Sequence, residues 1–458
     1  MKLHIKNFGC QMNKLDSSLV TSALIEKGFE LTEKAIDADV LLMNTCSVRH
    51  HAEERVMSHL GHLKTVKKKN PDLIVGLIGC MAQRMGEELL KHPSVDLVAG
   101  PSKIAQIPDM LDEVLKTKNK RIAITEKIRR KNPQAETEAL DKFELTYDSD
   151  ENHIHGQAFV RAMRGCNNFC TYCIVPYVRG PEVSRPPKDI LEQVKKLAAG
   201  GIKQITLLGQ TIDAYTYTQD DKTYNLADLL RMISEVDGIE WIRFVTSHPG
   251  KFNESILQAM AELPKVTPYL HIPAQSGSNR ILAAMNRKYT AEHYLDLIEN
   301  ARKLVPGISI ASDFIVGFPG ETDEDFQATV ELVKKARFKN SFVFKYSPRP
   351  GTDSANNLAD DIPDEVKRQR NLELLAVQNA ISQEESEKLL GKSVKVLVEG
   401  LSKKPHVNMD ENGNNPQLIG RTANDYIVVF NGPKSLTGAF SVVKIVKTSA
   451  LTMFGELE

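Results

Sequence analysis

The chain holds six cysteines, and they fall into two sets of three. One set is compact: Cys166-Asn-Asn-Phe-Cys170-Thr-Tyr-Cys173, a C-x3-C-x2-C spacing. The other is scattered, with Cys10 in NFGCQMN, Cys46 in MNTCSV and Cys80 in LIGCMAQ. A [4Fe–4S] cube held by only three thiolates keeps one iron open to a substrate or cofactor, so a three-cysteine site is reactive rather than a plain electron relay. Two such clusters are expected. The fold must then gather three cysteines that are far apart in sequence.

The first third of the chain offers a way to do this. KLHIKNF, ADVLLMNT, DLIVGLIG and VDLVAG read as strands, and helical patterns separate them. That alternation predicts a parallel α/β sheet. Cys10, Cys46 and Cys80 each follow a strand. In a parallel sheet the carboxyl ends share one edge, where ligands gather.

The rest divides by texture. At 458 residues the chain allows about three domains of roughly 150 residues. Residues 1–125 form the first. Residues 126–152 are charged, contain Pro133, lack periodicity and read as a linker. A second α/β domain, 153–388, has strands QAFVRAM, QITLLGQ, WIRFVTS, YLHIPAQ, ISIASDFIVG and SFVFKYS, the pattern of a partial (β/α)6 barrel. Residues 389–452 alternate in strand period and predict a small all-β barrel.

Formal net charge is zero, so any nucleic-acid surface must be local. The terminal barrel provides one candidate. Lys392, Lys395, Arg421 and Lys444 lie there among other lysines, opposed by few acids, Asp410 and Glu411 among them. Phosphate contact would use such a surface. No signal-like start and no long apolar run is visible, so a cytoplasmic protein with reduced thiols and no membrane partner is expected.

Zinc is the alternative ligand for CNNFCTYC. It needs a fourth donor, and His153 or His155 would be the nearest. The motif lies on a loop after a barrel strand rather than in a small knuckle fold. Phe169 and Tyr172, set between the cysteines, could shield a cluster and pack an adenine ring.

These motifs resemble the radical S-adenosylmethionine superfamily. NFGCQMN, NTCSVR, the GC at 80, RGCNNFCTYCIVPYVRGPEVSRP and HIPAQSGSNRIL are similar to the methylthiotransferase family within it, along nearly the whole chain. GCQMN with HIPAQSGS is similar to the branch acting on tRNA that carries N6-dimethylallyladenosine beside the anticodon. The resemblance implies a cluster domain, a radical barrel and a terminal TRAM barrel. It implies S-adenosylmethionine as cofactor, one molecule methylating sulfur at an auxiliary cluster and another yielding the radical that activates adenine C2. It also implies a tRNA anticodon loop, an electron donor such as flavodoxin or ferredoxin, and a sulfur donor as partners. Other substrates, threonylcarbamoyl-adenosine tRNA or a ribosomal protein, remain the near alternatives, and a non-catalytic metal-bearing RNA-binding protein the distant one.

For the cofactor, the resemblance points to Gln210 and Gly317. Arg243 and Ser276 lie at comparable positions after or within strands. No catalytic residue is assigned beyond the clusters. One segment departs from the pattern: the family usually reads LLGQNVNAY, and here LLGQTIDAY places Asp213 near the barrel mouth.

Overall fold

The computed structural model describes residues 1–47, 50–126, 134–147, 155–404 and 415–458, with backbone alone for 50–52 and 134–136. Pro133, His153, Asp410 and Glu411 lie outside the described residues.

The first domain is a six-stranded parallel sheet. Its order is Glu30–Leu31, Lys2–Asn7, Val40–Thr45, Ile74–Gly79, Leu97–Ala99, Arg121–Ala123. VLLMNT and IVGLIG are buried at every position because helices cover both faces. On one side Leu42, Ile74 and Ile78 pack with Leu15 and Leu19 of helix Gln11–Glu26. On the other, Leu41, Met43, Val75 and Leu77 pack with Val56 and Leu60 of helix His50–Lys69.

The second domain has the six expected strands, in two parallel three-stranded sheets. Gln157–Arg161, Gln204–Leu208 and Trp241–Val245 form one; Tyr269–His271, Ser309–Val316 and Asn340–Lys345 form the other. An isolated bridge pairs Ile242 of the first sheet with Val266, three residues before the strand Tyr269–His271 of the second. The third domain is a closed barrel in the order Ser393–Leu401, Gln417–Thr422, Ile427–Asn431, Thr452–Leu457, Phe440–Thr448. The strand Thr452–Leu457 closes it, so the domain runs past the boundary expected at 452.

The segment expected to be a linker contains a helix, Gln134–Leu145. Its Asp141 and Glu144 are buried against the barrel. Arg164 bonds both, at 2.6 and 2.7 Å, and Arg185 reaches Glu144 at 2.9 Å. Burial alone would raise the Glu144 carboxyl, but Arg161, Arg185 and Arg164 hold it down at about 2. The charges that suggested solvent in the sequence are paired internally.

The terminal barrel sits on the amino-terminal end of the second domain's barrel, where the strands begin. Trp241 meets Phe440 edge-on, centroids 4.7 Å apart. The Asn424–Asp425 turn enters the barrel floor. Asn424 Nδ2 donates to the carbonyls of Pro268 (3.1 Å) and Gly307 (2.8 Å). Asp425 accepts from Arg243 at 2.7 Å, Arg421 at 3.0 Å and Lys339 at 3.2 Å. Among the described residues no helix is long and apolar enough to cross a membrane.

Candidate active site between the two cysteine-bearing domains

The register of the first sheet brings its cysteines together. Lys2–Asn7, Val40–Thr45 and Ile74–Gly79 are adjacent, with Asn7 opposite Asn44 and Thr45 opposite Gly79. Cys10 caps helix Gln11–Glu26, Cys46 directly follows strand Val40–Thr45, and Cys80 opens helix Cys80–Lys91. Gly79 has φ 97°, and a Cβ there would lie 2.4 Å from Asn44 Oδ1. Only glycine permits this approach.

Below the cysteines is a buried amide network. Asn13 Nδ2 donates to Asn44 Oδ1 at 2.6 Å and to the Thr45 carbonyl at 3.1 Å. Asn44 Nδ2 returns to the Asn13 carbonyl at 2.8 Å. The Cys10 thiol donates to Asn13 Oδ1 at 3.2 Å. Strand end and helix start are thus fixed to one another beside Cys10 and Cys46.

The second trio follows strand Gln157–Arg161. Gly165, at φ 70°, precedes Cys166; a Cβ there would meet the Pro181 carbonyl oxygen at 1.9 Å. Cys166 and Cys170 are buried and Cys173 half-buried. Thr211 Oγ1 lies 3.3 Å from Cys166 Sγ, and Arg287 Nη1 donates to Cys170 Sγ at 3.5 Å. The same loop continues through Val175–Val178 to Arg179, whose Nε donates to Cys80 Sγ at 3.2 Å. Arg179 also holds Asp16 at 3.0 Å, and Asp16 pairs with Arg161. One loop therefore carries one cysteine trio and touches the other.

Burial pushes the Cys80, Cys166 and Cys173 thiols up. Arg179 at Cys80 and Arg287 near Cys173 oppose it. None of the six cysteines is tied in a disulfide. Among the described residues no three His, Cys, Asp or Glu side chains are drawn into a ready site for a single metal ion. Soft donors beside guanidinium groups, five of the thiols buried or half-buried and Cys10 exposed, fit an anionic iron–sulfur cluster.

The other expected site residues separate into groups. Gln210 lies at the mouth, and its Oε1 is buried with no hydrogen-bond partner among the described residues, as an acceptor awaiting a ligand would be. Tyr172 packs beside Ile281, Met285, Phe318 and Tyr346. Phe169 is partly exposed at φ 49°.

Arg243 is a correction. It points down to Asp425 and the Thr422 carbonyl, away from the cysteines. Ser276 is also turned inward: its hydroxyl accepts from the Ser278 N–H at 3.1 Å and faces Thr329. The Gly317 N–H donates to Glu321 at 2.9 Å, which leaves this turn's first donor engaged. Of the basic residues, Lys395 pairs with Glu240 at 2.7 Å, and Arg421 with Glu399 and Asp425, each at 3.0 Å. Lys395 thus bridges the terminal barrel to the second domain, whereas the partners of Arg421 lie within the terminal barrel itself. Lys392 and Lys444 are exposed and have no ion pair among the described residues.

Asp213 is buried, and both its oxygens accept from the His248 N–H, at 3.0 and 2.9 Å. Burial raises its carboxyl to about 7. Sequence reasoning missed Arg179, Arg287, Asp16 and the Asn13–Asn44 pair as site residues. A signal existed for the last: asparagine at the end of an otherwise apolar, fully buried strand needs a polar partner.

Comparison with known proteins agrees with this architecture. The Radical SAM superfamily profile matches residues 160–333. Uncharacterized protein family UPF0004 matches residues 2–100, and the TRAM domain residues 387–457. The chain is 43% identical to the tRNA-2-methylthio-N(6)-dimethylallyladenosine synthase of Rhodopirellula baltica, covering 100% of this chain and 95% of that one. Identity to the protein of the same description from Thermoanaerobacter sp. is 44%, covering 99% and 92%. With that of Yersinia enterocolitica it is 42%, covering 100% and 92%. Among solved structures, the radical S-adenosylmethionine methyltransferase TsrM of Kitasatospora setae shares the fold at a TM-score of 0.53 and 14% identity, covering 77% of each chain. The likeness extends from the first cysteine to the last barrel strand, and the chain belongs to the family of tRNA-2-methylthio-N(6)-dimethylallyladenosine synthases.

Proposed function

We infer that this chain is a radical S-adenosylmethionine enzyme that adds a methylthio group to C2 of N6-dimethylallyladenosine beside the tRNA anticodon. The observation that carries this reading is whole-length kinship to synthases of that description, joined to two converging cysteine trios. Cys166, Cys170 and Cys173 would hold the [4Fe–4S] cluster that takes S-adenosylmethionine. Cys10, Cys46 and Cys80 would hold an auxiliary [4Fe–4S] cluster. When bound, these groups supply one-electron reduction, radical hydrogen abstraction, sulfur and a methyl group.

The protein's part is to place and insulate them. Arg179 and Arg287 balance negative charge on the sulfurs they touch. The buried Oε1 of Gln210 offers an acceptor suited to the cofactor's ammonium. Lys392 and Lys444 offer phosphate contacts on the terminal barrel, and the anticodon loop is a cheap place to unstack a base. An electron donor of the flavodoxin or ferredoxin kind, a sulfur donor and a cytoplasmic setting complete the reading.

Mass analysis of tRNA nucleosides tests it. A strain lacking the gene should retain N6-dimethylallyladenosine without its methylthio form, and the intact gene should restore that form where Cys170→Ala does not. Loss of a methylthio group from threonylcarbamoyl-adenosine or a ribosomal protein instead would assign another substrate.

A further inference from the structure

Strand Asn340–Lys345 is the last of the radical barrel and the edge of its sheet. Ser341 Oγ bonds Gln378 at 2.9 Å, and Lys345 Nζ bonds Asp364 at 3.0 Å. Both partners belong to helix Asp364–Glu387 outside the barrel. Side chains alternate along a strand, so Phe342 and Phe344 point to the other face, into the barrel. The register agrees: Phe342 is opposite Asp313 and Phe344 opposite Ile315.

Interior aromatic rings are normally covered. Here Phe342 is 50% exposed and Phe344 38% exposed. The rings lie side by side, 6.4 Å between centroids and 16° from parallel. Lower in the barrel the space is filled by Arg243 and Lys339 around Asp425. The open apolar surface is confined to the upper part. It also adjoins the radical cysteines: Ile315 packs against the cluster of Ile281, Met285, Phe318 and Tyr346, and so does Tyr172, which lies between Cys170 and Cys173.

We propose that Phe342, Phe344 and Ile315 form the wall that receives the dimethylallyl chain of the target adenosine and thereby selects prenylated tRNA. This assignment rests on the function proposed above and names the part of the substrate that the wall reads. The dimethylallyl group is a branched, uncharged five-carbon chain, and only apolar surface rewards its burial. Asp313 stands beside the wall, held by His271 at 3.2 Å. A threonylcarbamoyl group at the same nitrogen carries a carboxylate and would meet the Asp313 carboxylate. The wall therefore favours one N6 substituent and the acid disfavours the other, the two halves of a specificity device.

The test uses the full reconstituted chain and two anticodon stem-loop RNAs, with adenosine or N6-dimethylallyladenosine at the target position. Affinity is measured by fluorescence anisotropy without turnover. The wild type should bind the prenylated RNA more tightly. Phe342→Ser and Phe344→Ser should each lose that preference by on the order of tenfold, leaving affinity for the unmodified RNA unchanged. Phe342→Leu should keep most of it. Iron content and melting temperature monitor folding, and Phe342→Gln, nearer in size, carries the same expectation should the serine variant melt early. Serine or glutamine variants that keep the preference, or that weaken both RNAs equally, would overturn the assignment. A wild type indifferent to prenylation would instead undo the function proposed above, whereas a prenyl-preferring wild type with unaltered variants undoes only the wall.

Discussion

Arg179 donates from Nε to Cys80 Sγ at 3.2 Å while its Nη2 holds Asp16 at 3.0 Å. The contact joins a residue six positions past the radical trio's last cysteine to the scattered trio of the other domain, a separation read directly from Cys173 and Arg179. Arg179→Met leaves Asp16 buried beside Arg161 alone. Because Asp16 keeps Arg161, the cost falls below the about 3–5 kcal/mol of a buried charge left wholly unpaired. The variant should melt earlier and, after anaerobic reconstitution, hold less iron. Iron retained at the wild-type level would separate Arg179 from the auxiliary site.

The two trios should fail in different ways. Cys170→Ala removes a ligand of the S-adenosylmethionine site and should abolish 5′-deoxyadenosine formation. Cys46→Ala should damage the auxiliary site alone, so cleavage of S-adenosylmethionine continues while methylthio product vanishes. Chromatography of both products from the same reaction decides it. Full methylthiolation by Cys46→Ala would remove the division of labour. Metal analysis of the wild type should find about eight irons per chain for two cubes, and zinc in their place would end the cluster reading.

How much of this was legible in the sequence depends on whether the information was local. The strands carrying Cys10, Cys46 and Cys80 were, because burial on both faces makes their apolar runs continuous. The barrel strands Gln157–Arg161, Gln204–Leu208 and Trp241–Val245 were legible for the same reason, being buried at every position. Helix Gln134–Leu145 was not: Asp141 and Glu144 look like solvated charges until Arg164 and Arg185, distant in sequence, neutralise them. Arg243 and Arg421 misled in the opposite sense. Each is an arginine in a suggestive place, and each answers to Asp425. Sequence supplies the charges, and only the fold supplies their partners.

Asp213 gives a pH prediction. Its carboxyl is raised to about 7 by burial, against 3.8 for the ordinary group. Between those values the folded protein keeps a proton that the unfolded chain has released. Stability from this group therefore falls as pH rises through that window and levels off above about 7. Asp213→Asn, the residue the family pattern carries, removes the titration. Denaturant unfolding should show the variant gaining on the wild type by a few kcal/mol at pH 8 and little at pH 4. Parallel pH curves for the two proteins would show that Asp213 does not titrate on folding.

The RNA surface should be tested by charge reversal rather than truncation. Lys392→Glu with Lys444→Glu should weaken tRNA binding and flatten its dependence on salt, as loss of phosphate contacts requires. Lys395→Glu should have a smaller effect, because Lys395 already answers Glu240. Binding measured at several salt concentrations distinguishes them. An unchanged slope for the double variant would locate the phosphate contacts on the first two domains.

Asp425 has a temporal consequence. Arg243 and Lys339 are synthesised before the carboxylate that neutralises them, which comes at position 425. Until then the nascent radical barrel has an unfinished base with two cations facing a void. Both cysteine trios are complete in the nascent chain well before that base is sealed, so the floor of the barrel is the last part of the site's surroundings to close.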